Sequence, residues 1–80
     1  MPRFEIKYYA VLREKAGRSA ETLETSATTP AAVYEELRAR HGFKLDRDLV
    51  RVAVNDEFAE WDVALRDGDE LVFIPPVAGG

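Results

Sequence analysis

The residues best suited to chemistry in this chain stand at its end, Pro75-Pro76-Val77-Ala78-Gly79-Gly80. A free α-carboxyl has a pKa of about 3.3–3.7, so on Gly80 it is an anion at pH 7 and a poor electrophile until something activates it. The segment that presents it is built for reach. Its prolines favour a stiff, extended exit, and the side chains then shrink from valine through alanine to glycine. Six residues span roughly 20 Å at about 3.3–3.6 Å each. Gly79 and Gly80 have no side chain, so they can take any backbone angle inside a narrow channel. Gly80 is therefore a candidate reacting residue; the plain alternative is a frayed, glycine-rich chain end.

Other polar residues have plainer readings. His41 is the single histidine and falls in the last turn of a predicted helix, where a surface cation is favoured by the helix dipole. No Ser, Cys or Asp pairing marks it as a base. Asp67, Asp69 and Glu70 surround Gly68 but lack the loop pattern of a calcium site, and turn chemistry accounts for them. No metal site is expected. The chain has no cysteine, which excludes disulfides, thiolate metal sites and a cysteine nucleophile. Glu14-Lys15 and Asp46-Arg47-Asp48 read as solvated charge, and Trp61 as packing.

Size and charge narrow the role. Eighty residues make one domain, and a domain this small buries only about 60% of its unfolded surface. Little room remains for an enclosed active-site pocket, so an edge, a face or a tail is the expected working part. With a net charge of −4 and a pI near 4.9, the chain gains nothing from counterion release and nucleic acid is not expected as a partner. A basic protein surface suits it better. No apolar run approaches the roughly 20 residues that span a bilayer. The start, Met-Pro-Arg-Phe-Glu, lacks an apolar signal core. The expected location is the cytoplasm, away from membranes.

The elements that must position the tail are short. Residues 3–9 alternate as a strand, with Phe4, Ile6 and Tyr8 on one face and Tyr9 on the other. Residues 10–16 form a short helix stopped by Gly17. Residues 19–25 are a weaker strand, read as an edge. Thr29-Pro30 opens the main helix, since threonine caps and proline is tolerated at the first position. Val33, Tyr34 and Leu37 lie on or beside its apolar face, Arg38 and Arg40 favour its C-terminal end, and Gly42 ends it with Phe43 folding back. Residues 46–48 are a loop, residues 50–54 a strand, Asn55-Asp56 a turn, and residues 58–61 a short strand. Arg66-Asp67-Gly68-Asp69 is a tight turn. Glu70 to Ile74 form the last strand, ended by Pro75-Pro76. One sheet packed on one helix is the layered solution, an α+β fold.

Four segments resemble the small-subunit sulfur carriers of molybdopterin synthase, the MoaD family within the ubiquitin-like MoaD/ThiS carriers. They are residues 8–17 (YYAVLREKAG), residues 52–55 (VAVN), residues 65–70 (LRDGDE) and residues 73–80 (FIPPVAGG). The Pro-Pro-Val-x-Gly-Gly ending is the most specific. The resemblance implies a β-grasp fold, with a mixed sheet of four to five strands on one main helix. The last strand would lie beside and parallel to the first, with residues 1–76 as the domain and 77–80 as its flexible tail. Tyr9, Val72 and Ile74 would then form an apolar patch on the face away from the helix, extended by Phe58; such a patch marks an interface. By resemblance, Tyr9, Phe58 and Ile74 match positions that dock on the large subunit.

The resemblance also implies the chemistry, with Gly80 carrying the reacting group and Gly79 and Ala78 supplying clearance and backbone contacts. An adenylating, E1-like partner uses ATP to activate the Gly80 carboxylate, and a sulfur donor converts it to a thiocarboxylate. The large subunit then receives the tail and passes the sulfur to a pterin precursor of the molybdenum cofactor. The carrier would bind no cofactor and catalyse nothing alone. Related roles are carriers for thiamine thiazole, tRNA thiolation or protein conjugation, and an interaction module with an inert tail.

Overall fold

The computed structural model describes residues 1–76. Their order is β1 (Arg3–Tyr8), α1 (Ala10–Ala16), β2 (Ala20–Glu24), α2 (Pro30–His41), a 3-10 turn (Arg47–Leu49), β3 (Arg51–Val54), β4 (Glu57–Ala59) and β5 (Glu70–Ile74). The strands form one mixed sheet in the order β2-β1-β5-β3-β4. The last strand lies parallel to the first, with Ile6 beside Leu71 and Tyr8 beside Phe73. Every other pairing is antiparallel. A five-strand mixed sheet grasping one main helix is the expected β-grasp.

Local signals explain the helix ends. The Thr29 hydroxyl accepts from the Ala32 amide at 3.2 Å, and Pro30 follows at the first helical position, where no amide is needed. At the other end Gly42 turns left-handed (φ 73°), and the Gly42 and Phe43 amides both donate to the Arg38 carbonyl. That turn folds Phe43 back into the core. Helix α1 ends the same way at Gly17 (φ 76°).

The core follows from alternation. Phe4, Ile6, Tyr8, Leu71 and Phe73 on the sheet, and Val33, Tyr34 and Leu37 on α2, are each 1% exposed or less. Rings meet at its centre. Tyr34 lies 5.3 Å from Phe73, and Trp61 stacks on Phe73 at 6.0 Å. Trp61 is therefore packing, as expected. It lies outside β4, which is shorter and earlier than the predicted strand over 58–61. The left-handed pair Asn55 (φ 52°) and Asp56 (φ 71°) makes a two-residue hairpin turn, so pairing restarts at Glu57.

The charged loop at 46–48 is more ordered than its composition suggests. It enters the 3-10 turn, Arg38 donates to Asp46 at 2.8 Å, and the Arg47 guanidinium lies 5.9 Å from the Trp61 ring centre. Turn chemistry does account for Asp67 and Asp69. The Asp67 carboxylate accepts from the Arg3 amide, and Asp69 accepts from the Arg66 amide and the Asn55 side chain.

Candidate functional site

Pro75 and Pro76 close β5, because proline has no amide to give a ladder. Beside them the chain passes from β1 to α1 through Tyr9, still extended (φ −127°, ψ 154°), and Ala10, left-handed at φ 52°. A residue with a Cβ pays about 1 kcal/mol for that conformation, and it persists where surrounding packing fixes it. The turn keeps Tyr9 on the opposite face from Tyr8 and leaves it 52% exposed. Tyr9, Ala10, Val11 and Glu14 line one side of an open groove of about 430 Å³, and Ile74, Pro75 and Pro76 line the other. The groove lies where the chain leaves β5.

From there an apolar strip crosses the face of the sheet that α2 does not cover. Register sets Lys7, Val72, Ala53 and Phe58 side by side across β1, β5, β3 and β4. One step toward the end of β5, Ile74 pairs with Arg51. The expected docking residues thus share one face, with different accessibility. Phe58 is 63% exposed, Ile74 is half-buried and Val72 keeps 8%. Val72 stands on the central strand between two neighbours, so it forms floor rather than contact surface. Ala78, Gly79 and Gly80 lie outside the described residues.

Arg51 was not among the expected docking residues. Its guanidinium lies 4.5 Å from the centre of the Phe58 ring. The signal was present: with Val50, Val52 and Val54 facing in, Arg51 and Ala53 must face out.

A second polar cluster lies at the sheet edge, on the covered face. His41 does not stand free on the surface. Its side chain is 13% exposed, and its Nε2 lies 2.7 Å from Oε2 of Glu21, itself 8% exposed. The Tyr8 hydroxyl donates to the same oxygen, and Arg40 reaches the other at 3.8 Å. Burial, then the hydrogen bond to Glu21, raises the Tyr8 pKa well above the ordinary tyrosine value. Burial alone would raise the Glu21 carboxyl, but the hydrogen bonds from Tyr8 and His41 outweigh it and hold the pKa below the usual glutamate range. The cluster ties β2 to the end of α2. Its polar groups satisfy one another across β1, β2 and α2, which gives the cluster a structural role.

Residues 6–80 match the ThiS family. The chain belongs to the ThiS family. The molybdopterin synthase sulfur carrier subunit of Haemophilus influenzae is 37% identical over 79 residues, covering 94% of this chain and 96% of that protein. The Escherichia coli protein of the same description is 32% identical and covers 95% and 98%. Among solved structures, small archaeal modifier protein 1 of Haloferax volcanii is 26% identical with a TM-score of 0.81, covering 96% of this chain and 100% of that one. The family match spans Tyr9, Phe58, Val72 and Ile74, and it runs on through Gly80. Among the described residues, no helix is long and apolar enough to cross a membrane.

Proposed function

We propose that this chain is the sulfur carrier subunit of a molybdopterin synthase, and that Gly80 carries the sulfur as a thiocarboxylate. The observation that carries the reading is the similarity to sulfur carrier subunits over nearly the full length of both chains. The fold supports it. The domain offers a covered face for stability, a free apolar face for docking, and a central strand leading to Pro75-Pro76 and the glycine end.

The chemistry follows from the group available. An E1-like partner joins the Gly80 carboxylate to AMP and releases pyrophosphate from ATP, which turns a poor electrophile into a good one. The terminal sulfur of a donor persulfide attacks the acyl carbon and expels AMP, leaving an acyl disulfide. A second thiol takes the donor sulfur away as a disulfide, and the thiocarboxylate remains. The free face then docks on the large subunit, where the sulfur passes to the pterin precursor. The carrier itself supplies position.

Intact-mass measurement tests this. After incubation with the adenylating enzyme, ATP and a persulfide donor, the chain should gain the mass difference between sulfur and oxygen. With the large subunit and precursor it should return to its starting mass. The chain lacking Gly80 should melt as the full chain does and show neither change. Sulfur transfer by that truncated chain would defeat the mechanism.

The likeness to an archaeal modifier protein favours a second reading, in which the activated carboxyl is joined to lysines of other proteins. Amide-linked conjugates that survive thiol treatment, formed in place of product on the large subunit, would identify it.

A further inference from the structure

The free face balances most of its own charge. Lys7 lies 3.4 Å from Glu70, Arg3 pairs with Glu24 at 2.6 Å, and Thr22 donates to Glu5. Arg51 differs. Among the described residues no carboxylate lies within ion-pair distance of it; its neighbours are the Phe58 ring and, in register, Ile74. A cation therefore stands on the apolar strip of a chain whose net charge is −4.

The ring contact shapes what this cation can do. A cation–π contact leaves guanidinium N–H donors to spare, and that fork matches a carboxylate. The ring also holds the group in place before any partner arrives, so less freedom is lost on binding. A partner that covers Phe58 and Ile74 must also take Arg51 out of water. Without an opposing anion that burial is unfavourable. With one, it rewards the right surface and penalises the wrong one.

We propose that Arg51 and Phe58 act as one recognition element, which docks on a partner protein surface that sets a carboxylate beside apolar side chains. Arg51 selects among partners, and Phe58 supplies contact area. This rests on the reading that the free face docks on the synthase large subunit, which is the occupant proposed. The apolar neighbours Phe58, Ile74 and Tyr9 favour a protein surface over a phosphate-rich one.

The test uses the full chain and the recombinant large subunit, with affinity measured by calorimetry over a range of salt concentrations. Arg51→Met keeps the aliphatic cover of Phe58 without the charge. It should bind roughly tenfold or more weakly, with a shallower salt dependence, and Arg51→Glu more weakly still. Both variants should melt as the parent does. One carboxylate-to-lysine substitution on the large subunit should restore binding to Arg51→Glu. Parent-like binding by both Arg51 variants, with Phe58→Ala impaired, would overturn the recognition element while leaving the docking face in place. Parent-like binding by Tyr9→Ala and Phe58→Ala as well would overturn both.

Discussion

On the face turned toward α2, Phe4, Ile6, Tyr8, Leu71 and Phe73 are almost fully buried; on the other face of the same strands Phe58 is 63% exposed, with Arg51 lying over it. One period-two pattern produces both. The covered face gathers the rings and aliphatic chains that hold so small a domain together. The free face carries an apolar strip that the fold does not need for its core. One sheet thus keeps its buried rings on one side and leaves an exposed apolar strip on the other.

The sharpest way to break this contrast is Phe73→Ala. Its ring meets Tyr34 and Trp61, and removing it should cost about 3–5 kcal/mol in urea unfolding. That is a large share of the stability expected of a domain of this size. A loss below about 1 kcal/mol would mean that the covered face does not hold the fold.

Glu21→Ala comes next. It leaves the Tyr8 hydroxyl buried without its acceptor, at a cost of about 1–3 kcal/mol. The effect depends on pH in a definite direction. The folded-state pKa of Glu21 is depressed. Its contribution is therefore fully present above the unfolded value, about 4.3, and disappears as pH falls through the lower folded value. Parent and variant stabilities should converge on acidification, as measured by urea unfolding at a series of pH values.

The smallest effects lie on the free face and sharpen the comparison. Val72→Ala removes two methyl groups from a nearly covered position and should cost roughly 1.5 kcal/mol. Phe58→Ala should cost less than about 1 kcal/mol, most of it the contact with Arg51, while weakening capture by the large subunit. Thermal melts paired with binding measurements separate the two: Val72 should register mainly in stability and Phe58 mainly in binding.

Much of this arrangement was legible in the sequence. The alternation of Phe4, Ile6 and Tyr8, the Thr29-Pro30 cap and the Gly42 stop each encode a local geometry, and these three formed where expected, whereas β4 ended short of Trp61. The parallel pairing of β1 with β5 joins strands more than sixty residues apart; no local pattern carries it, and the family resemblance supplied it. The 3-10 turn at Arg47–Leu49 is too short to show a period. His41 was misread because its last-turn position explains a cation well, whereas its actual partner Glu21 lies 20 residues away on an edge strand. The clue was there. In β2, Glu21 shares the alternation of Leu23 and Thr25, both buried, so a carboxylate pointed inward and needed a donor. The apolar members of the free face were legible from strand alternation, whereas a charge at outward position 51 gives no sign in the sequence of the ring beneath it.

The place of β5 has a mechanical consequence. It is the middle strand of five, bonded on both sides, and it runs in the same direction as β1. The amino end of β1 and the carboxyl end of β5 therefore leave from opposite ends of the pair. Tension between them loads the ladder bonds together, in shear, instead of opening them one after another. A domain strung this way should hold its fold under a pull on the carboxyl end of β5.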